Sequence, residues 1–223
     1  KLINVSHSLE TYPVPSVYSD DLAVGELAAD HFLERSFEHF AFFGALAYAH
    51  SRERLAGFER GLQSRSPNSP EVAVYEPPQG KDFFQDLFSK RLLDWLDSLP
   101  RPLAVFVYDD LLAGYLTEFL IDNSVQVPDD IAILGVNDDV RLCMMARVPL
   151  SSVSLDGHQM GYRAGYLLNR LMNGESVSPV ERIPPRLVSA RQSTDMVASL
   201  DPVLRRGIIF IRHHLSEAIT VED

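Results

Sequence analysis

The sequence predicts an α/β fold with parallel sheet flanked by helices. Three observations carry that prediction. Leu103-Ala104-Val105-Phe106-Val107 is an apolar run without alternation, the pattern of a strand buried on both faces. Ile131 to Val136 repeats it. Strands near residues 40, 73, 105 and 133 are each followed by helical spacing, which makes successive right-handed βαβ units. Both long apolar runs stop at polar tips, Tyr108-Asp109-Asp110 and Asn137-Asp138-Asp139. In open α/β sheets ligands bind beyond the carboxyl ends of the strands, so these tips form the predicted rim.

The elements follow in order. Leu2–Ser6 reads as a short strand and Ser16–Ser19 as a second. Asp20 caps a helix from Leu22 to Arg35. His39–Phe43 is a buried strand ending at Gly44, and Ser51 begins a helix to about Gln63. Ser66-Pro67-Asn68-Ser69-Pro70 is a loop by composition. Val72–Tyr75 is a strand, and Lys81 to Leu99 an amphipathic helix with Trp95 on its inner stripe. Asp109 or Asp110 caps the helix after the first long run. Ser151–Leu155 is a strand, and Gly157–Met172 a helix stopped by Asn173-Gly174. Arg186–Gln192 is the last strand. Asp201-Pro202 then opens a further helix carrying Leu204, Ile208, Ile211 and Leu215.

Composition narrows the function classes. The chain has 223 residues, a net charge of −11 and one cysteine. No apolar run approaches the roughly 18 residues of a membrane span, and no signal peptide opens the chain. The acidic balance disfavours nucleic-acid binding by these residues. A lone Cys143 excludes an internal disulfide, fits a reducing, cytoplasmic setting, and reads as a packed thiol. The opening Leu2-Ile3-Asn4-Val5 already has interior-strand character, and Ile219 to Asp223 reads as the start of something further. The chain is therefore expected to be a fragment.

Several motifs carry a family resemblance. Asp20-Asp21 with Gly25, Arg54-Leu55-Ala56-Gly57-Phe58, Asp109-Asp110 with Ala113-Gly114, Val127-Pro128-Asp129-Asp130-Ile131-Ala132-Ile133-Leu134-Gly135 and Ser193-Thr194 occur in that order. Together they resemble the effector-binding domain of the lactose-repressor family. The tail, with Ile208, Phe210-Ile211 and His214, resembles the first helix of an arabinose-regulator-type DNA-binding domain. The resemblance implies a periplasmic-binding-protein-like fold of two lobes, one incomplete here. Residues 1–195 would form the effector domain. Within it, 1–19 and 156–175 would be a remnant of the N-terminal lobe, and 20–155 with 178–193 the C-terminal lobe. Residues 196–223 would be the linker and first DNA-binding helix. The function implied is a sugar-responsive transcription regulator, repressor-like in family, whose effector is xylose or a similar monosaccharide. DNA would be bound only by a domain beyond this chain. A homodimer is expected, and Leu142-Cys143-Met144-Met145 reads equally as an exposed patch or a satellite core.

A sugar offers hydroxyls and a weakly apolar face, which suits planar groups making paired hydrogen bonds: Asp, Asn and Arg. Neutral bonds net about 0.5–1.5 kcal/mol and charged ones about 1.5–3 kcal/mol. A handful reaches roughly micromolar affinity. By position in the family pattern the ligand candidates are Arg54, Asp109, Asn137 and His7, with Tyr108 and Tyr48 as stacking surfaces. Each has a plainer reading: Asp109 as a helix cap, Arg54 as a surface partner of Glu53 or Asp82, Asn137 as a turn residue, His7 as a loop residue, the tyrosines as core. Asp110, Asp138 and Asp139 read as caps and solvated charges. No metal, cofactor or catalytic set is expected: His213-His214 face apart on a helix, and no phosphate-cradling glycine loop is present. Two other classes stay open, a periplasmic transport receptor with the same cleft and an enzyme holding Mg²⁺ between the acidic tips.

Overall fold

The computed structural model describes residues 1–65, 71–77 and 89–196, together with the helical positions Val203, Leu204, Gly207 and Phe210. The two apolar runs become the centre of a six-stranded sheet. Its strands are β2 (His39–Phe43), β3 (Ala73–Tyr75), β4 (Leu103–Val107), β5 (Ile131–Val136), β6 (Ser151–Ser154) and β8 (Leu187–Ser189). The order is β3-β2-β4-β5-β6-β8, with only the β8 edge antiparallel.

Strand periodicity sorts the core into two layers. Phe43, Val105, Val107, Ile131 and Ile133 pack on one face against α3 (Lys90–Asp97) and α4 (Asp110–Asp122) through Leu92, Leu96, Leu112, Leu116 and Leu120. Phe42, Phe106, Ala132, Leu134 and Val136 pack on the other face against α1 (Asp21–Leu33) and α2 (Ala49–Arg65) through Val24, Phe32, Phe58 and Leu62. Helices on both faces explain the unbroken apolar runs of β4 and β5: neither face meets water.

α1 and α2 cross at glycines. A Cβ on Gly57 would lie 2.0 Å from the Leu22 carbonyl oxygen, and one on Gly25 would lie 2.1 Å from that of Arg54. The glycines of two sequence motifs therefore face each other across one helix crossing. α2 starts two residues before the predicted Ser51. The Ala49 and His50 amides find acceptors in the Ser8 and His7 carbonyls, and this long-range capping is invisible to local sequence.

A smaller sheet stands apart. β1 (Ser16–Ser19) pairs in parallel with β7 (Val180–Ile183). α6 (Gly157–Met172) covers one face, where Val17, Ile183 and Leu167 meet Ile3 and Met160. Leu2–Ser6, expected as a strand, contributes only a bridge from Asn4 to Ser16. The expectation that residues 178–193 all belong with the larger unit needs correction. Val180–Ile183 joins β1, and only Leu187–Ser189 joins the large sheet. Two contacts hold β7 there: Ile183 fills the small core, and Glu181 takes both Nε and Nη2 of Arg163 on α6 at 2.9 and 2.8 Å.

The predicted Lys81–Leu99 helix is observed as Lys90–Asp97; residues 78–88 lie outside the described residues, as does the 66–70 loop. The histidines at 213 and 214 and the rest of the tail, apart from those four helical positions, also lie outside them. Cys143 is buried on α5 (Val140–Met145), while Leu142, Met144 and Met145 beside it are exposed. Among the described residues no helix is long and apolar enough to cross a membrane.

The closing Ser193-Thr194 motif locks a 3₁₀ turn (Gln192–Thr194) into the core. Ser193 Oγ donates to the Ile133 carbonyl at 2.6 Å and accepts from the Ser151 amide at 2.8 Å. Thr194 Oγ1 lies 2.8 Å from His31 Nε2 and 2.7 Å from Ser151 Oγ. Burial, with Arg35 beside it, pushes the His31 imidazole down to about 3. Folded protein then binds fewer protons there than unfolded chain, so stability is lost as pH falls from His31's ordinary range toward its folded value. The Asp110 carboxyl, raised by burial to about 6, acts oppositely and loses stability as pH rises through that value. The difference between wild type and His31→Gln isolates the first effect. The variant is expected to lose less stability than wild type between pH 6.5 and about 4, read from urea midpoints.

Candidate functional site

The carboxyl edge of β2 and β4 gathers most of the predicted ligand residues around one carboxylate. Asp21, at the start of α1, has a fully buried side chain. Its Oδ1 accepts from Arg54 Nε at 2.8 Å and from Ser19 Oγ at 3.0 Å, and its Oδ2 accepts from His7 Nδ1 at 2.7 Å. A carboxylate only accepts, so His7 carries its proton on Nδ1. Burial alone would raise the Asp21 carboxyl, but His7 and Arg54 overcome it and hold the group below its ordinary value.

Arg54 is 5% exposed. It is no surface residue, and among the described residues its anion is Asp21, 33 positions away, rather than Glu53; Asp82 lies outside them. Its Nη1 donates to the carbonyl of Tyr108 at the tip of β4. These two bonds use two of the five guanidinium N–H groups. The strand tip, the α2 arginine and the α1 aspartate are thus joined directly. Asp109 follows Tyr108 and caps α4, its Oδ1 accepting from the Leu112 amide at 2.7 Å.

Stacked rings line the same edge. His50 lies between Tyr48 and Tyr108, with centroids 5.5 and 5.8 Å away. His50 Nδ1 donates to the His7 carbonyl at 3.2 Å. Burial, then the nearby Arg54 charge, lowers the His50 imidazole below its usual range. Burial and the Asp109 carboxylate push the Tyr108 hydroxyl up. His7 stacks on Tyr18 at 4.1 Å, and the Arg182 guanidinium lies over the Tyr18 ring, 5.5 Å from its centroid. Arg182 also pairs with Glu53 on α2 across 129 positions. One chain of contacts therefore runs from β7 of the small sheet to the β4 tip of the large one.

Asn137 follows β5. The pairing of β4 with β5 ends at Phe106 against Leu134, so Asp109 and Asn137 each lie three residues past the end of that ladder, on adjacent strands. Asn137 has φ 114° and Asp138 φ 54°, conformations that cost about 1–3 kcal/mol each unless the surroundings impose them. The Asn137 side chain is exposed and makes no hydrogen bond among the described residues.

Of the acidic neighbours only Asp139 is the partly exposed cap that was expected; Asp110 and Asp138 are mostly buried. Asp109, not Asp110, is the α4 cap. Asp110 is 1% exposed and takes Ser152 Oγ at 2.6 Å and the Asp139 amide at 2.9 Å. Gly135 is required beside it, since a Cβ there would sit 2.4 Å from Asp110 Oδ1. Asp139 caps α5, and Asp138 pairs with Arg191 at 2.7 Å. The neighbouring Cys143 thiol is pushed up to about 12 by its own burial and then by the Asp110 carboxylate.

Sequence reasoning missed Asp21 and His50. The doublet Asp20-Asp21 was the available signal for Asp21: one carboxylate caps the helix, which leaves the other to be explained. His7, Asp21 and Glu53 bring ligand atoms within 4.8 Å of one another. They fit a charge network better than a metal site. Asp21 and Glu53 address opposite nitrogens of one imidazole, and each carboxylate already holds a guanidinium.

A mainly parallel sheet with helices on both faces and polar groups at its carboxyl edge defines an open α/β module. The chain belongs to the periplasmic binding protein-like domain family, whose profile matches residues 29–194. It is 30% identical over 223 residues to the xylose operon regulatory protein of Escherichia coli K12, covering 97% of this chain and 56% of that protein. It is 28% identical over 215 residues to the xylose operon regulatory protein of Haemophilus influenzae, covering 94% of this chain and 55% of that one. A solved structure of a xylose-binding transcription activator, xylR, superposes with a TM-score of 0.78 at 28% identity, covering 99% of this chain and 59% of that chain. The chain thus spans about half the length of the curated relatives it matches.

Proposed function

We propose that this domain is the effector-binding part of a sugar-responsive, cytoplasmic transcription regulator that takes xylose or a similar monosaccharide at the rim of β4 and β5. The observation that carries the reading is Arg54. A buried guanidinium, oriented by Asp21, is bonded to the Tyr108 carbonyl, the peptide oxygen immediately before Asp109. Arg54 donates, Asp109 accepts, Asn137 does both, and the Tyr48, His50 and Tyr108 rings offer a flat apolar surface. That combination suits a polyol with one apolar face. The regulators named above favour this reading over a transport receptor. Sugar acts on DNA binding only through its differential affinity for two arrangements of the protein. DNA contact and homodimerisation belong to the whole protein, and catalysis has no part in the proposal.

A thermal-shift panel of D-xylose, D-ribose, L-arabinose and D-glucose on the full-length protein tests the reading. One of them is expected to raise the melting temperature. Asp109→Ala removes that shift, and also lowers the sugar-free baseline by about 1 kcal/mol through the lost cap. Asp109→Asn keeps the cap and separates the two effects. An undiminished shift in both variants removes Asp109 from the site.

A further inference from the structure

We infer that Arg191, acting through Asp138, positions Asn137 at the ligand rim. The inference rests on the sugar-binding reading and extends the site to the far edge of the sheet. The turn from Asn137 to Asp139 is held at every backbone amide. Asn137 N–H donates to the Val153 carbonyl at 3.0 Å, Asp138 N–H to Ser152 Oγ at 2.9 Å, and Asp139 N–H to Asp110 Oδ2 at 2.9 Å. Two of these acceptors are themselves joined, since Ser152 Oγ donates to Asp110 Oδ1 at 2.6 Å.

The side chain of Asp138 is clamped separately. Ser189 Oγ donates to its Oδ2 at 2.6 Å, and Arg191 Nη2 to its Oδ1 at 2.7 Å. Arg191 is anchored in turn: its Nη1 donates to the Leu150 carbonyl at 2.9 Å, and its amide to Ser151 Oγ at 2.7 Å. The pair is mostly buried, with side chains 17% and 15% exposed. A left-handed Asp138 following a positive-φ Asn137 is a shape that short polar side chains tolerate but do not impose. The surroundings must supply it, and from beyond β6 they do so through Ser189 on β8 and through Arg191, the one of the two that carries a charge. The backbone that carries Asn137 is thereby held in place, and its exposed side chain, which makes no hydrogen bond among the described residues, is left to meet a ligand.

Arg191 also begins the strap that carries Ser193 and Thr194. The rim turn and the last described turn of the domain are therefore tied by one guanidinium.

The test is a double-mutant cycle read by calorimetry on the full-length protein, using whichever of the four sugars binds wild type most tightly. Arg191→Gln and Asn137→Ala are each expected to weaken binding at least tenfold. The double variant is expected to bind within twofold of Asn137→Ala alone, because Arg191 acts only through that side chain. Arg170→Gln breaks an ion pair on α6 and should leave affinity unchanged, which separates positioning from general loss of a charge pair. If Arg191→Gln does not fold, Asp138→Asn gives the same reading with a smaller perturbation. Unchanged affinity in Arg191→Gln, or additive losses in the double variant, overturns the positioning role and leaves the sugar site standing. Failure of wild type to bind all four sugars overturns both.

Discussion

Replacing Asp21 by alanine is expected to destabilise the protein by about 3–5 kcal/mol, the cost of leaving a buried charge without its partner. Arg54 has a 6% exposed side chain and lies against Asp21, whose own side chain is fully enclosed. Loss of the carboxylate strands that guanidinium and the His7 Nδ1–H together. Urea denaturation measures the loss. A paired substitution, Asp21→Leu with Arg54→Met, is expected to recover much of it, since apolar residues of similar volume often replace a buried ion pair at little cost. Sugar binding should not return with stability. A double variant as unstable as Asp21→Ala would show that the site cannot repack. A double variant that still binds sugar would remove Arg54 from the proposed contacts.

Gly57→Ala is the second large effect. The added Cβ meets the Leu22 carbonyl oxygen at 2.0 Å and its carbon at 2.8 Å. These are backbone atoms, so no rotamer change relieves them, and α1 and α2 must move apart. A loss of about 3 kcal/mol, at the upper end for overpacking, is expected. Because Arg54 lies one turn earlier on α2 and Asp21 opens α1, separating the helices also lengthens the pair between them. Sugar affinity should fall with stability. Gly114→Ala supplies the contrast: nothing lies within 4 Å of a Cβ there, and the change within α4 should stabilise by about 0.5–1 kcal/mol. Equal urea midpoints for the two variants would refute the steric account of the crossing.

These two substitutions divide what was legible in the sequence from what was not. Gly57 and Gly114 both stand in recognisable motifs, yet one is fixed by a neighbouring helix and the other by nothing in contact. Motif matching cannot tell them apart, because the distinction lies across a crossing of two helices. The site shows the same split. Arg54, Asp109, Asn137 and His7 were named from position in a pattern. The structure brings His7, Arg54 and the β4 tip together and sets Asn137 one strand away, but the carboxylate organising them is Asp21.

By itself the sequence determined the layered α/β plan. Unbroken apolar runs mark strands covered on both faces, and Asp20 and the Asp109-Asp110 doublet mark helix starts, where Asp20 and Asp109 make cap bonds that span three residues. Those signals are local, so one chain segment carries them whole. Only the tertiary structure decided which charges meet. Asp21 finds Arg54 across 33 positions, Asp138 finds Arg191 across 53, and Glu53 finds Arg182 across 129. The packing of strands and helices closes those separations, and a buried charge takes whichever partner that packing delivers.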